Sequence, residues 1–358
     1  MSRRGARTMK AAVKTEDGRF EVKEVPTPEI PAPDWVRARV RVSGICGTDL
    51  RHWKVPDPKL AGEVVGHELA GEVVEVGEAV ENVRPGDRVS IETVLGDDRC
   101  DWCRVQKYNI CPHLYEVRSK SVSRAYAEFV VGPAKKFYKL PDRVSFEEAT
   151  LLDTFSVCLH AHHLGGVGIH DKVAVLGAGP IGLGQLMLAR AGGADVIVVD
   201  VVQHSLDLAR ELGADAVVNS REEDPVPRVT EFSHGRGVDV AIECAGGKSM
   251  PETLPLATRF ARRGGKVVIV GGFDEKEPPI LLDWQRIQKS EIQLIPSASF
   301  AFWDIRPEQK MCLDLLAAGK LNAAKLITHR FKLEDINKAF ETAQGKEKGS
   351  SGGSARRG

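Results

Sequence analysis

Long apolar runs are missing from this chain. None approaches the roughly twenty residues of a bilayer-spanning helix, so no membrane partner is expected. An excess of charge of either sign is missing too: Lys plus Arg and Asp plus Glu both number 50. A balanced surface gives no electrostatic case for nucleic acid or an anionic membrane as main partner. The amino-terminal MSRRGARTMKAAV is basic but is followed by no apolar stretch of the kind a secretory signal carries, and strand-like sequence begins just after Met9, a candidate alternative start. Aromatic residues are sparse, at 6%, and the seven cysteines are odd in number, with Cys100, Cys103 and Cys111 crowded together. In a long chain without a signal peptide, such cysteine usage favours metal ligation over a disulfide framework. The expected location is the cytoplasm.

What is present suits a large folded protein. The 358 residues, 42% apolar and 28% charged, are enough for two domains or one large one. From Met9 to about Pro141, short β-branched runs such as WVRARVRVSGI, LAGEVVEVG and YAEFVVG alternate with Gly, Pro and Asp turns, the pattern of a mainly antiparallel β domain. Near residue 146 the character changes. FEEATLLDTFSVCLHAHHL has helical spacing, and KVAVLGAGPIGLGQLMLARAGGADVIVVD runs from apolar strand through glycine turn and helix to a second apolar strand. Apolar runs without alternation belong to parallel strands covered on both faces. The pattern recurs in AVVN, VDVAIECAG and KVVIVGG, which predicts a doubly wound α/β domain. The expected boundaries are a β-rich domain over 9–153, a nucleotide-binding domain over 154–292 and a return to the first domain over 293–345. The Gly, Ser and charge-rich tail over 346–358 is expected to be disordered.

Gly177, Gly179 and Gly182 fit G-x-G-x-x-G in the context that motif needs, after an apolar strand and at the start of a helix. Gly177 suits the tight turn, Gly179 close approach to a pyrophosphate, and Gly182 close packing of helix on strand. Pro180, Ile181 and, in KVVIVGG, Val270 are counted with them as cofactor-binding. Asp200 ends the next strand, where a carboxylate can accept both ribose hydroxyls and repel a 2′-phosphate. No Arg or Lys follows in Val201, Val202 and Gln203, so NAD is expected over NADP.

In GICGTDLRHW, Cys46 could be a small core residue, a nucleophile or a metal ligand. His67 and Glu68 follow in VVGHELAG, and thiolate and imidazole together suit zinc. Taken as a set, GICGTDL, GHELAGEVVEVG, the cysteine lobe, GAGPIG with Asp200, and LITHRFKLEDINKAFETA resemble the zinc-dependent medium-chain dehydrogenase/reductase family over about residues 9–345, with the polyol (sorbitol-type) and threonine dehydrogenases as the nearest branches.

The resemblance implies an α/β plus mainly-β architecture: a Rossmann doubly wound parallel sheet domain inserted in a GroES-like β-rich catalytic domain. It implies a catalytic zinc held by Cys46, His67 and, in the polyol branch, an acid that falls at Asp153, with Glu68 able to move on and off the metal. Asp153 also suits a helix cap. Asp49 becomes the partner that orients His67. The implied reaction is oxidation of a secondary alcohol to a ketone, zinc acting as Lewis acid and hydride passing to NAD. Thr48 opens the proton relay. Where many relatives place a relay histidine this chain has Arg51, which stays protonated, with His52 one place later. The lobe departs as well: the family's structural zinc has a further cysteine three residues before Cys100, and here that residue is Asp97. A second zinc on Asp97, Cys100, Cys103 and Cys111 is expected, with Asp98 as a neighbouring substitute.

Three rivals remain. L-threonine 3-dehydrogenase is an alternative within the family. A zinc-free enoyl or quinone reductase would not need Cys46 with His67, and a non-catalytic nucleotide- or zinc-binding protein would not need both sites. Trp53, Tyr115 and SASFAFW are expected at a substrate pocket or a subunit contact, and a homodimer or homotetramer is implied. Cys158, Cys244 and Cys312 are expected to pack apolar segments, and His162 and His163 to reach solvent or a helix-end carbonyl.

Overall fold

The computed structural model describes residues 8–114, 124–273, 277–345 and 353–356. It divides into two compact units, the first made of residues up to Asp153 with 309–317 and 323–358, the second of 154–308 and 318–322.

In the first unit, β1 (Thr8–Lys14) and β2 (Phe20–Pro26) form an antiparallel pair. β3 (Trp35–Gly44) carries the clearest alternation in the chain. Val36, Ala38, Val40 and Val42 are buried, while Arg37 and Arg41 pair with Glu75 and Glu72 of the antiparallel neighbour β4 (Leu69–Val76). Period-2 patterning thus puts one face in the core and a ladder of opposite charges on the other. β5 (Arg88–Ile91), β6 (Phe129–Pro133) and β7 (Phe137–Lys139) extend the sheet, with β5 on β4, β7 on β5 and β6 on β3. The short helix Phe146–Thr150 opens with a capping box: Ser145 Oγ accepts the Glu148 N–H and the Glu148 carboxylate accepts the Ser145 N–H.

The second unit is a six-stranded parallel sheet of β8 (Lys172–Leu176), β9 (Asp195–Asp200), β10 (Ala216–Asn219), β11 (Val238–Glu243), β12 (Ala261–Ile269) and β13 (Gln293–Pro296). Its order, β10-β9-β8-β11-β12-β13, is that of a dinucleotide-binding fold, reversing direction at β8 and β11. Val173 to Leu176 and Val196 to Val199 are buried without interruption, as strands roofed by helices on both faces must be. The boundary expected at 292 moves to 308: β13 pairs with β12, and the hairpin of β14 (Phe302–Trp303) and β15 (Arg306–Pro307) follows it in the same unit. The apolar run that looked like a return to the first domain is this sheet's sixth strand.

β16 (His329–Phe331) and β17 (Gly353–Arg356) return to the sheet of the first unit. Of the tail expected to be disordered over 346–358, all but 353–356 lies outside the described residues; β17 pairs antiparallel with β3 opposite Val42 to Gly44 and parallel with β16. Ladder bonds are made by main-chain groups that every residue here carries, so a short Gly- and Ser-containing segment can take a place between two strands. No helix among the described residues is long and apolar enough to cross a membrane.

Candidate active site

Cys46 caps the five-residue helix Gly47–Arg51 from the loop after β3, and His67 and Glu68 stand immediately before β4. Gly44 at the end of β3 hydrogen-bonds through its N–H to the carbonyl of Glu68, at 2.7 Å, which ties the two stretches together. The carboxylate of Glu68 then lies against Gly44, where a Cβ would fall 2.3 Å from Oε2, so a side chain at 44 would displace it. The result is a cluster in which one atom each of Cys46, His67 and Glu68 lie within 4.8 Å of one another. Nδ1 of His67 is 3.6 Å from Oδ2 of Asp49.

The electrostatics of this cluster fit a cation. Burial pushes the Cys46 thiol up, the negative charge of Asp49 adds to it, and the hydroxyl and N–H of Thr48 pull it back. Burial, reinforced by Cys46, holds the Glu68 carboxyl well above the usual carboxylate range, with His67 opposing. Acidic groups that raise one another in this way are relieved by a divalent ion, and one thiolate with an imidazole and a carboxylate is a zinc donor set. Asp153 stands apart from the three-residue group. It sits in the first turn of the helix Leu152–Gly165, close enough for its charge to act on Cys46 and Glu68 but outside their 4.8 Å circle. Thr48, Arg51 and His52 are exposed on or just after the short helix.

The lobe assembles its four expected residues, one atom each of Asp97, Cys100, Cys103 and Cys111 within 4.8 Å. Cys100 caps the one-turn helix Asp101–Arg104, its Sγ accepting the N–H of Cys103 and lying 3.8 Å from the Cys111 sulfur. Oδ1 of Asp97 accepts the N–H groups of Cys100 and Arg99, each at 2.9 Å, which holds the carboxyl well below its usual range and therefore ionised. The Cys103 thiol is pushed up to about 12, by burial first and then by its neighbours Cys100 and Asp97. Asp98 points elsewhere, to Lys135 at 2.6 Å. Tyr115, expected near the substrate, lies outside the described residues.

In the second unit the glycine loop follows β8. Gly177 has φ +99°, and a Cβ on Gly182 would sit 1.7 Å from the Gly177 carbonyl, so both positions require glycine. Gly179 caps the helix Pro180–Ala191, its Cα facing open space, with Pro180 in the first turn where its missing N–H costs nothing. Asp200 ends β9, and its carboxylate accepts the N–H of Ala178 in the loop and those of Val201 and Val202, the latter two at 2.7 and 2.8 Å. Ala178 N–H thus joins the acid to the glycine turn. Val270 follows β12, partly buried, its N–H bonded to the Glu243 carbonyl.

Four expectations change. Trp53 is only 2% exposed and packs in the core with Phe20, Tyr126 and Phe340. His162 is buried, and desolvation takes its pKa down to about 4. His163 stacks on Trp303 and reaches Glu308 at 2.7 Å, so Trp303 of the SASFAFW stretch is engaged there. Cys244 is only partly buried, whereas Cys158 and Cys312 are fully packed. A helical histidine gives no sequence signal for a distant carboxylate partner.

Sequence reasoning also missed Glu92, which is fully buried. It accepts Tyr108 Oη at 2.6 Å, Lys136 Nζ at 2.5 Å and Tyr138 Oη at 2.7 Å. Its neighbour Thr93 donates to the His67 carbonyl at 3.3 Å.

Comparison with known proteins adds independent findings. The family model described as an alcohol dehydrogenase GroES-like domain matches residues 32–142, and that of a zinc-binding dehydrogenase matches 180–317. Sorbitol dehydrogenase 1 of Saccharomyces cerevisiae is 34% identical over 92% of this chain and 93% of its own. L-idonate 5-dehydrogenase of Vitis vinifera is 35% identical over 86% and 84%. The crystal structure of 2R,3R-butanediol dehydrogenase from Bacillus subtilis superposes with a TM-score of 0.84 at 30% identity, covering 98% of this chain and 100% of that one.

Proposed function

The chain belongs to the zinc-dependent medium-chain dehydrogenase/reductase family, and from that premise we propose that it oxidises a secondary hydroxyl of a polyol or vicinal diol to a ketone with NAD as hydride acceptor. The observation that carries the proposal is the convergence of Cys46, His67 and Glu68 within 4.8 Å. Cys46 and His67 hold the catalytic zinc, with Glu68 as the carboxylate inside the cluster and Asp153 as the acid just outside it. Zinc there supplies the Lewis acidity that lets an alcohol lose its proton near neutral pH. Thr48 Oγ1 accepts that proton as it releases its own, and because Arg51 keeps its charge the released proton passes directly to solvent from an exposed residue.

On the nucleotide side, Gly177, Gly179, Pro180, Ile181 and Gly182 seat the pyrophosphate at the positive end of their helix, and Val270 lines the same edge. Asp200 selects NAD by repelling a 2′-phosphate. The choice of a polyol or diol is supported by what the relatives are named for: sorbitol, idonate and butanediol all carry adjacent oxygen-bearing carbons. Asp97, Cys100, Cys103 and Cys111 hold a second, structural zinc. The protein works in the cytoplasm as a homo-oligomer. Leu281, Trp284 and Ile305, which flank β13 in sequence, are exposed at 82%, 65% and 82%, apolar side chains of the kind that a second copy covers.

The test is NADH production over polyols, cyclitols, small diols and amino alcohols, repeated with NADP. Turnover of polyols or diols with NAD preferred is expected. Turnover confined to threonine would overturn the substrate class, and equal use of NADP would overturn the role of Asp200.

A further inference from the structure

One buried hydroxyl stands directly behind the proposed metal ligands. Tyr126, three residues before the start of β6, is 1% exposed. Its ring meets those of Phe20 and Phe340 edge-on, at 5.8 and 5.9 Å between centroids. Its other contact is the turn that presents His67. Gly66 has φ +98°, and a Cβ there would lie 3.0 Å from three atoms of the Tyr126 ring. The ring therefore occupies the space a side chain at position 66 would need, and the turn rests on it.

The hydroxyl points the same way. Tyr126 Oη donates to Oδ2 of Asp49 at 2.8 Å, with the Gly44 carbonyl also near at 3.3 Å. A phenol has one hydrogen, and the shorter, charge-assisted contact to the carboxylate takes it. Burial and the charge of Asp49 push the phenol well above its ordinary range, so it stays a donor. The same Oδ2 is the atom 3.6 Å from Nδ1 of His67. With Nδ1 facing Asp49, Nε2 is the nitrogen left for a metal.

We propose that Tyr126 is a positioning residue for the metal centre: its ring supports the Gly66–His67 turn, and its hydroxyl pins Asp49 so that Asp49 in turn fixes the tautomer and orientation of His67. This rests on the reading of Cys46 and His67 as zinc ligands. Nothing in the stretch AYAEFVV sets the tyrosine apart from a strand residue chosen for packing. The hydroxyl acts through Asp49 and touches neither metal nor substrate. Groups in this outer position govern metal retention more than folding, typically by 10–100-fold.

Tyr126→Phe tests it, since the ring and its packing remain and only Oη is lost. The zinc-loaded protein is mixed with a chelator, and the release phase abolished by Cys46→Ser is followed; the cobalt(II)-substituted protein is compared by visible absorption. Release from the Cys46 site roughly 10–100-fold faster, altered cobalt bands and an unchanged lobe phase are expected. In an Asp49→Asn background, Tyr126→Phe should add little, because its target is gone. A variant with the wild-type release rate and cobalt spectrum overturns this inference alone. A wild-type protein with no zinc sensitive to Cys46→Ser overturns the metal reading and the inference with it. A lower melting temperature with both metal readouts unchanged makes Tyr126 a packing residue and overturns the proposal.

Discussion

Among its described residues the first unit contains two clusters of side chains with the chemistry to hold a metal ion, assembled in opposite ways. Asp97, Cys100, Cys103 and Cys111 come from one short loop, while Cys46 and His67–Glu68 come from loops at the ends of different strands, joined by the sheet between them. In the lobe, little chain entropy separates the ligands, so a metal can help the loop to fold and contribute its binding energy to stability. In the other cluster, β3 and β4 must already be paired before the ligands meet. A metal there arrives at a site the fold has built, and what it adds is chemistry. Loss of the first should therefore be felt as heat sensitivity and loss of the second as lost turnover.

The largest effect expected is on the scattered cluster. Cys46→Ser or His67→Ala should lower turnover by about a thousandfold or more, because several kcal/mol of transition-state stabilisation leaves with the metal. Melting should change little, and NADH binding, read by fluorescence titration, should persist because the glycine loop and Asp200 lie in the other unit. A large drop in melting temperature would erase the contrast drawn here.

Next comes the residue that serves both clusters. Glu92 takes the hydroxyl of Tyr108 inside the lobe, and Thr93 beside it holds the His67 carbonyl. Lys136, 5% exposed, has its charge balanced by Glu92, which opposes the lowering of its pKa by burial. Glu92→Gln leaves that ammonium without its partner at a cost of about 3–5 kcal/mol. Thermal melting should fall and zinc retention should drop at both sites together. Adding Lys136→Met should recover part of the stability; a double variant no better than the single would show that the tyrosine contacts, not the charge pair, matter.

A smaller and more selective effect is expected for Cys103→Ser. Metal analysis should fall from about two zinc per chain to about one, with turnover at room temperature nearly unchanged. A metal present at a hundredfold over its dissociation constant contributes about 2.7 kcal/mol, which for a cooperative unit of roughly 200 residues, the size of the first unit, lowers its melting by about 5–10 °C. Wild-type protein that holds a single zinc, all of it lost in Cys46→Ser, would leave the lobe without a metal.

These expectations also mark what the sequence makes legible. The cysteines of the lobe, the glycine loop with Asp200 and the parallel sheet depend on local signals: ligand spacing, a glycine turn after an apolar run, unbroken burial. That Cys46 belongs with His67, and Asp97 with the lobe, is what the family resemblance implies. The groups that hold the sites in place depend on distant pairings. Glu92 follows β5 and Tyr126 precedes β6, where alternation tells which face is buried but not which hydroxyl finds which carboxylate. Trp53 looked like a pocket residue because it follows the ligand loop, yet it is packed by Phe340 from nearly three hundred residues away. Asp153 shows the limit from the other side, since its place in the chain suits both a ligand and a helix start, and the structure sets it in the first turn beyond the tight group.

The smallest effect expected is at Asp97, the residue that most distinguishes the lobe. One carboxylate oxygen is committed to the N–H groups of Arg99 and Cys100, so Asp97 both shapes the loop and offers a negative oxygen to a metal. Two substitutions separate these roles. Asp97→Asn keeps an acceptor for the two N–H groups but loses the charge. Asp97→Cys supplies a fourth thiolate but gives up the short carboxylate bonds. If the carboxylate is a ligand, Asp97→Asn should release the lobe zinc to a chelator faster by about tenfold, the free-energy equivalent of about 1.4 kcal/mol, and Asp97→Cys should release it more slowly than wild type. Melting of the zinc-loaded forms should move by only a few degrees in either case. Asp97→Asn with wild-type release would make the residue a loop cap alone, and the lobe would then be a three-thiolate site completed by something other than Asp97.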